Sequence, residues 1–275
     1  VKPIVVLAAI VVGVAAAGAV PYAGLYDISA TDQHTAPVYR LLEIGMRQSV
    51  KRRAAAIPVP PLDDRARIAL GLELYAARCV QCHGAPGVAP EPFALGMTPA
   101  AANLAHTARE WAPAELFWAV KHGIKMTGMP AWTFRLSDDE IWAVVAFLQE
   151  LPRLSPREYA AAAAAKPRGA AVPAAATPEA GPSAERGRAA ILQYACVTCH
   201  EIPGIVGANA PVGPPLAGIG TRQFVAGMLP NTPDNMVRWL RAPQALNPAS
   251  AMPDLGLSER DARDIAAYLA TLRRP

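Results

Sequence analysis

An uncharged, largely apolar run extends from Pro3 to Val20, and the first acid, Asp27, follows only after Tyr26. A run of this kind reaches the roughly 20 residues that a membrane-spanning helix requires. Tyr22 and Tyr26 stand where an interfacial aromatic belt would lie. Ala17-Gly18-Ala19 carries the small-residue signature of a signal-peptide cleavage site, so two readings meet here. The length and the tyrosines favour a retained transmembrane anchor over residues 1–26. A helical period follows from Thr35 to Ala56, setting Val38, Leu41, Leu42 and Met46 against Arg40, Arg47, Lys51, Arg52 and Arg53. This amphipathic basic helix belongs to a juxtamembrane segment, residues 27–62. Such a stripe covers a protein surface, rests on lipid headgroups or clamps an integral-membrane partner.

The rest of the pattern is written twice, over residues 63–154 and 183–275. Each copy opens with an approach helix, Ala66–Tyr75 with Asp63 or Asp64 as N-cap, and Gly187–Tyr194. Gly71 in mid-helix weakens the first unless another helix crosses closely there. A middle helix is predicted over Pro113–His122 and again over Pro233–Arg241. Each copy closes on a capped helix. Ser137-Asp-Asp-Glu140 is a capping box ahead of Ile141–Leu151, with Ile141, Val144, Val145 and Leu148 inward. Ser258-Glu-Arg-Asp261 precedes a helix that turns Ile265, Tyr268, Leu269 and Leu272 inward.

Between approach and middle helices, each copy carries one chemical motif: Cys79-Val-Gln-Cys82-His83 and Cys196-Val-Thr-Cys199-His200. In a helical turn, positions i, i+3 and i+4 share a face. Two thiols can therefore reach the two vinyl groups of one porphyrin while the imidazole swings beneath the iron, the pattern of c-type haem attachment. A thioredoxin-like pair would not need the histidine, and no βαβ pattern surrounds either motif. A four-thiolate zinc site would leave both histidines surplus. All four cysteines lie in the two motifs. Two covalently bound haem c groups are the expected cofactors.

His83 and His200 supply one axial ligand each; the other must come from elsewhere in the chain. Met97, His106, His122, Met126 and Met129 are candidates in the first copy. Met129 is favoured because Thr127-Gly-Met-Pro130 is a tight non-helical segment, and proline biases the residue before it toward an extended backbone. Met126 is the near rival. In the second copy Met252, before Pro253, is favoured over Met228 and Met236. Each favoured methionine precedes a proline and a capped helix, and agreement between two copies makes chance a poor explanation.

Composition changes the picture in two places. Residues 155–182 collapse to alanine, proline and small polar residues. A short alanine helix over Tyr159–Ala165 fits there, with Pro167, Pro173, Pro178 and Pro182 keeping the remainder an extended tether. The net charge of +4 is spread along the chain, and no basic patch with interleaved aromatics points to nucleic acid.

These residues resemble class I cytochromes c in tandem. The resemblance rests on the two attachment motifs, on Gly213-Pro214-Pro215-Leu216, and on Met129-Pro130 and Met252-Pro253 ahead of a last helix. With the anchor and the basic helix, the whole chain is similar to the membrane-bound dihaem cytochromes c of bacterial respiratory chains. The resemblance implies an all-α fold in which an N-terminal transmembrane helix precedes two class I cytochrome c domains, the first and last helices of each crossing at a small residue. It also implies that a loop proline carbonyl accepts the Nδ1 proton of the proximal histidine. Pro214 matches that position; the first copy departs from it, with Ala102 before Asn103-Leu104.

A haem held by histidine and a thioether is six-coordinate and offers no open position to a substrate, so the reading favours an electron carrier over an enzyme. Methionine sulfur raises the reduction potential. The expected partners are a respiratory membrane complex (a quinol-oxidising complex, a dehydrogenase or a terminal oxidase) and membrane lipid, with no small-molecule substrate. Haem attachment outside the cytoplasm places the domains on the periplasmic side of the inner membrane, although the basic residues after the anchor argue the other way under the positive-inside rule. The alternative is a periplasmic dihaem enzyme of the peroxidase or thiosulfate-oxidising type. It would require one iron to open a coordination site.

Overall fold

The computed structural model describes residues 3–164 and 181–273. These fall into two compact units: one of residues up to 119, 124–129 and from 142 to 164, the other of 120–123, 130–141 and everything described after 180. Pro3–Tyr22 forms α1, the one helix among the described residues long and apolar enough to cross a bilayer, with mean hydropathy 2.6 and none of that stretch buried. Length and apolarity of this kind fit a retained span and a signal sequence alike. Tyr22 is exposed, whereas Tyr26 folds back so that its hydroxyl meets His34 Nδ1 at 2.8 Å.

Ala36–Ala54 is α2, as the period predicts, but the expected stripe packs only in part, with Val38 and Met46 half-buried. Leu41 and Leu42 are exposed, and Val50 and Ala54 are the buried residues. Arg47 turns inward with them: its guanidinium lies 4.0 Å over the Trp111 ring and 3.1 Å from Glu115. A partly buried carboxylate and an indole face hold a guanidinium where an aliphatic side chain would leave that carboxylate unpaired. The helix is thereby rotated to bring its basic side chain to the rest of its unit.

Arg65–Arg78 is α3, and Asp64 is its cap, accepting from the backbone N–H groups of Ala66 and Arg67. The attachment turn Val80–His83 (α4) follows, then a turn closed by an Ala85–Val88 bridge. Pro92–Leu95 (α5), Leu104–Glu110 (α6) and Pro113–His122 (α7) lead to Asp138–Glu150 (α8). Ser137 and Glu140 close the predicted capping box: Ser137 N donates to Glu140 Oε2 over 2.7 Å, and Glu140 N donates to Ser137 Oγ over 3.3 Å. The four residues expected inward on α8 are buried, and so are Trp142, Ala143, Ala146 and Phe147 between them. A helical stretch buried all round must be apolar all round, and that of residues 141–148 is. Gly71 is where α3 crosses α8: a Cβ there would overlap the Ala143 carbonyl oxygen and stand 2.8 Å from Phe147 Cβ. Tyr75 and Phe147 pack beside that crossing with ring centroids 5.2 Å apart.

Pro156–Ala164 is α9, longer at its start than predicted because Ser155 and Glu158 form a capping box of their own. The bulk of the predicted tether lies outside the described residues. The second copy repeats the plan with Ala184–Gln193 (α10), Pro233–Arg241 (α11), Pro243–Leu246 (α12) and Glu259–Thr271 (α13). Ser258 caps α13 by accepting from Asp261 N over 3.0 Å. Gly187 plays the part of Gly71, since a Cβ would overlap the Asp264 carbonyl and stand 2.9 Å from Ile265 N. Among the described residues the otherwise helical architecture carries one small hairpin, β1 (Phe224–Val225) antiparallel to β2 (Leu229–Pro230). The core of this copy gathers Ile191, Tyr194, Ile202, Val237, Leu240, Ile265 and Leu269. Each fully buried aliphatic or aromatic side chain contributes about 1.5–3 kcal/mol.

Candidate functional site

Cys79 ends α3 and hands the chain directly to α4. The N–H groups of Cys82 and His83 donate to the Cys79 carbonyl over 3.1 and 2.9 Å, so the first motif is a single helical turn. The second is wound tighter, as a 3-10 turn over Cys196–Thr198 entered through Ala195 in the left-handed region at φ 54. There the N–H groups of Cys199 and His200 donate to the Cys196 carbonyl over 3.3 and 3.1 Å. Both turns supply the i, i+3, i+4 arrangement that the spacing predicts.

Each imidazole is committed at one nitrogen. His83 Nδ1 donates to the Ala102 carbonyl over 2.7 Å, and His200 Nδ1 donates to the Pro214 carbonyl over 2.8 Å. A carbonyl can only accept, so Nδ1 carries the proton and Nε2 keeps its lone pair. This is the tautomer that a metal-ligating histidine needs, with ring orientation set by the backbone. Burial pushes His83 below the ordinary histidine value and so favours the neutral ring. The Ala102 carbonyl takes the role despite the missing proline, so that departure in sequence leaves the bond in place. Gly213 completes the second cradle. A Cβ there would stand 2.5 Å from His200 Cε1 and 2.8 Å from Nδ1.

None of the four cysteines is in a disulfide. Burial pushes the Cys79 thiol up to about 12 and the Cys196 thiol up to about 11. Among the described residues no three His, Cys, Asp or Glu side chains gather as a cage for a metal ion. Paired thiols beside an oriented imidazole with a free Nε2 do fit a covalently attached haem c.

The candidates for a second iron ligand differ in their surroundings. His106 pairs with Glu110 at 3.3 Å and is 71 % exposed in its side chain. His122 sits exposed at the last residue of α7. Met126 is 86 % exposed and held at φ 60. Met97 brings its sulfur to within 2.9 Å of where a Gly128 Cβ would stand, against the loop that carries Met129. Met129 is half-buried, and both its backbone groups are bonded within that loop. A cavity of about 450 Å³ adjoins His83, walled in part by Tyr75, Asn103, Leu104 and Leu151; Met129 does not line it. In the second copy Met236 is a core residue and Met228 is exposed, while Met252 is half-buried and packs against the core.

Comparison with known proteins finds two separate family matches along the chain. The family described as cytochrome c oxidase, cbb3-type, subunit III matches residues 66–148. The cytochrome c family matches residues 184–273. A cytochrome c oxidase subunit 2 of Alkalihalophilus pseudofirmus is 33% identical over 91 residues, 33% of this chain and 26% of that protein. The same-named protein of Bacillus sp. strain PS3 is 30% identical over 96 residues, 34% of this chain and 27% of its own length. A quinohemoprotein alcohol dehydrogenase of Comamonas testosteroni is 31% identical over 137 residues, 48% of this chain and 18% of the enzyme. The chain thus spans about a quarter or less of the length of the curated relatives it matches. It carries two cytochrome c domains, one like subunit III of cbb3-type oxidases and one of the general cytochrome c type, and domains of this kind imply haem c binding and electron transfer.

Proposed function

We propose that the chain is a membrane-anchored dihaem carrier of single electrons, working on the periplasmic face of the inner membrane. In this reading Cys79 and Cys82 would hold one haem c, with His83 and Met129 as the side chains offered to its iron. Cys196 and Cys199 hold the other, with His200 and Met252. The haem iron, when bound, changes between ferrous and ferric states and so accepts or releases one electron. The chain's own residues fix the surroundings of that change. His83 and His200 are held as Nε2 ligands by loop carbonyls, and neither needs to gain or lose a proton. The observation that carries the proposal is this repeated imidazole–carbonyl bond beside a repeated pair of thiols.

Residues 1–26 act as the anchor and 27–62 as the juxtamembrane segment. The half of α2 not occupied by its own unit presents Tyr39, Leu41 and Ile44 outward, an apolar surface suited to lipid or an integral-membrane partner. Cytochrome domains at 63–154 and 183–275 follow, with residues 155–182 between them. Donors would be a quinol-oxidising complex or a periplasmic dehydrogenase, and the acceptor a terminal oxidase. The names of the relatives, oxidase subunits and a quinohaemoprotein dehydrogenase, support partners of that kind.

Absorption spectra of both oxidation states test the carrier. Low-spin signatures at both irons are expected. A high-spin iron that binds peroxide or cyanide readily would move the assignment to a dihaem enzyme. Retention of the chain in carbonate-washed membranes tests the anchor, and copurification from detergent extracts identifies the partner complex.

A further inference from the structure

Each favoured methionine follows a hydroxyl residue by two positions, and in both copies that hydroxyl accepts the methionine's own backbone N–H. Met129 N donates to Thr127 Oγ1 over 3.1 Å, and Met252 N donates to Ser250 Oγ over 3.1 Å. The methionine carbonyls are also taken, by donors of different kinds. Ile124 N donates to the Met129 carbonyl over 3.2 Å. In the second copy the side-chain amide of Gln244, on α12, donates to the Met252 carbonyl and reaches the Ser250 carbonyl at 3.5 Å.

The first clip is built almost wholly from one loop. Thr127 Oγ1 donates to the Ile124 carbonyl over 2.7 Å while accepting from Met129, so one hydroxyl ties both ends of residues 124–129. That closure holds Met126 at φ 60, a region L side chains rarely adopt. The second clip spans two segments and depends on two side chains, Ser250 and Gln244. Pro130 and Pro253 follow directly and restrict the backbone of the methionine before them.

A thioether on a flexible, unbranched side chain is a neutral ligand with much rotamer freedom to lose. Fixing the backbone beforehand reduces the ordering left to be done when the sulfur binds. We infer that Thr127, and in the second copy Ser250 with Gln244, are positioning residues that hold Met129 and Met252 ready for iron. The inference rests on the proposed histidine–methionine ligation. It makes the two centres unequal: the first clip uses one side chain, and the second is shared between two.

The test uses the full-length haem-loaded protein. For each centre it reads the methionine-to-iron charge-transfer band, the midpoint potential and the rate of cyanide binding. Thr127→Val should weaken the band, lower the potential and raise the methionine-dissociated population about two- to tenfold, the worth of one hydrogen bond, at the first centre alone. Ser250→Ala and Gln244→Leu should do the same at the second centre alone. Thr127→Ser and Ser250→Thr keep the hydroxyl and should restore wild-type values; with retained haem content and far-UV circular dichroism, they separate positioning from misfolding. Met129→Ala and Met252→Ala serve as references. If these abolish the bands while the hydroxyl and amide variants leave all three readings unchanged, the positioning role is overturned and the ligation stands. If the methionine references change nothing, the ligation itself falls, and the clips with it.

Discussion

Gly71 lies against the carbonyl of Ala143 so closely that a single added methyl group would overlap the oxygen. Alanine at an ordinary helical position would gain about 1 kcal/mol over glycine from intrinsic propensity. Here the obstacle is backbone on the far side, which cannot rotate away, and overpacking of this kind costs about 1–3 kcal/mol or more. Gly71→Ala should therefore lower the unfolding free energy despite its better propensity. Gly187→Ala should do the same through Asp264. Denaturant unfolding of each variant checks the sign, and a gain in stability at either site would contradict the crossing.

Arg186 grips Asp264 in a two-pronged ion pair, Nε to Oδ2 and Nη2 to Oδ1, both at 2.7 Å. The carboxylate is 2 % exposed and the guanidinium 34 %. Arg186→Met strands a buried charge with Ser183 N as its remaining donor and should cost about 3–5 kcal/mol. Asp264→Ala should cost less, because water can reach the orphaned arginine. Replacing both by apolar residues should recover most of the loss. Urea titrations of the three variants give the order.

Tyr194 donates its hydroxyl to the buried Asp261 carboxylate over 2.7 Å. Burial first, and then the bonded carboxylate, push the phenol above its ordinary value. A folded-state value above the unfolded one means the stabilisation is complete below about pH 10 and fades as pH rises through the folded value. Tyr194→Phe should cost about 1–3 kcal/mol at neutral pH by leaving the carboxylate without its donor. It should also flatten the alkaline limb of the stability profile. Thermal melts from pH 7 to 11 measure both effects.

Gly213 leaves no room for a Cβ beside the His200 ring. Gly213→Ala would push the imidazole off its bond to the Pro214 carbonyl, freeing Nδ1 and loosening the ring's orientation. The expected outcome is an altered low-spin signal at the second centre with the first unchanged. Electron paramagnetic resonance of the oxidised protein distinguishes them. Identical signals from variant and wild type would show that the ring does not depend on this cradle.

Where the chain's own neighbours settle an element, the sequence is a sufficient guide. The helices over Pro113–His122 and Pro233–Arg241 are found at the predicted bounds. The caps at Asp64, Ser137 and Ser258 form as expected, because a cap joins residues three positions apart. Leu104–Glu110 was missed: it is two turns long, started by the Asn103 side chain accepting from His106 N, and has too few residues to show a period. The methionine clips were also missed. Their trace in sequence is a hydroxyl two residues before each methionine, and Gln244 has no signal in the first copy to match.

Two attachment motifs, the doubling of the domain and the need for a small residue at each helix crossing were determined by the sequence, since each depends on covalent spacing or on a single local shape. Which face of α2 is buried was decided only by tertiary structure, through Glu115 and Trp111 drawing Arg47 inward against the hydrophobic period. So was the burial of Asp261 and Asp264 on α13, polar residues that pattern alone would turn to water. A charged side chain goes where its partner is, and the partner's place is set by residues far away along the chain.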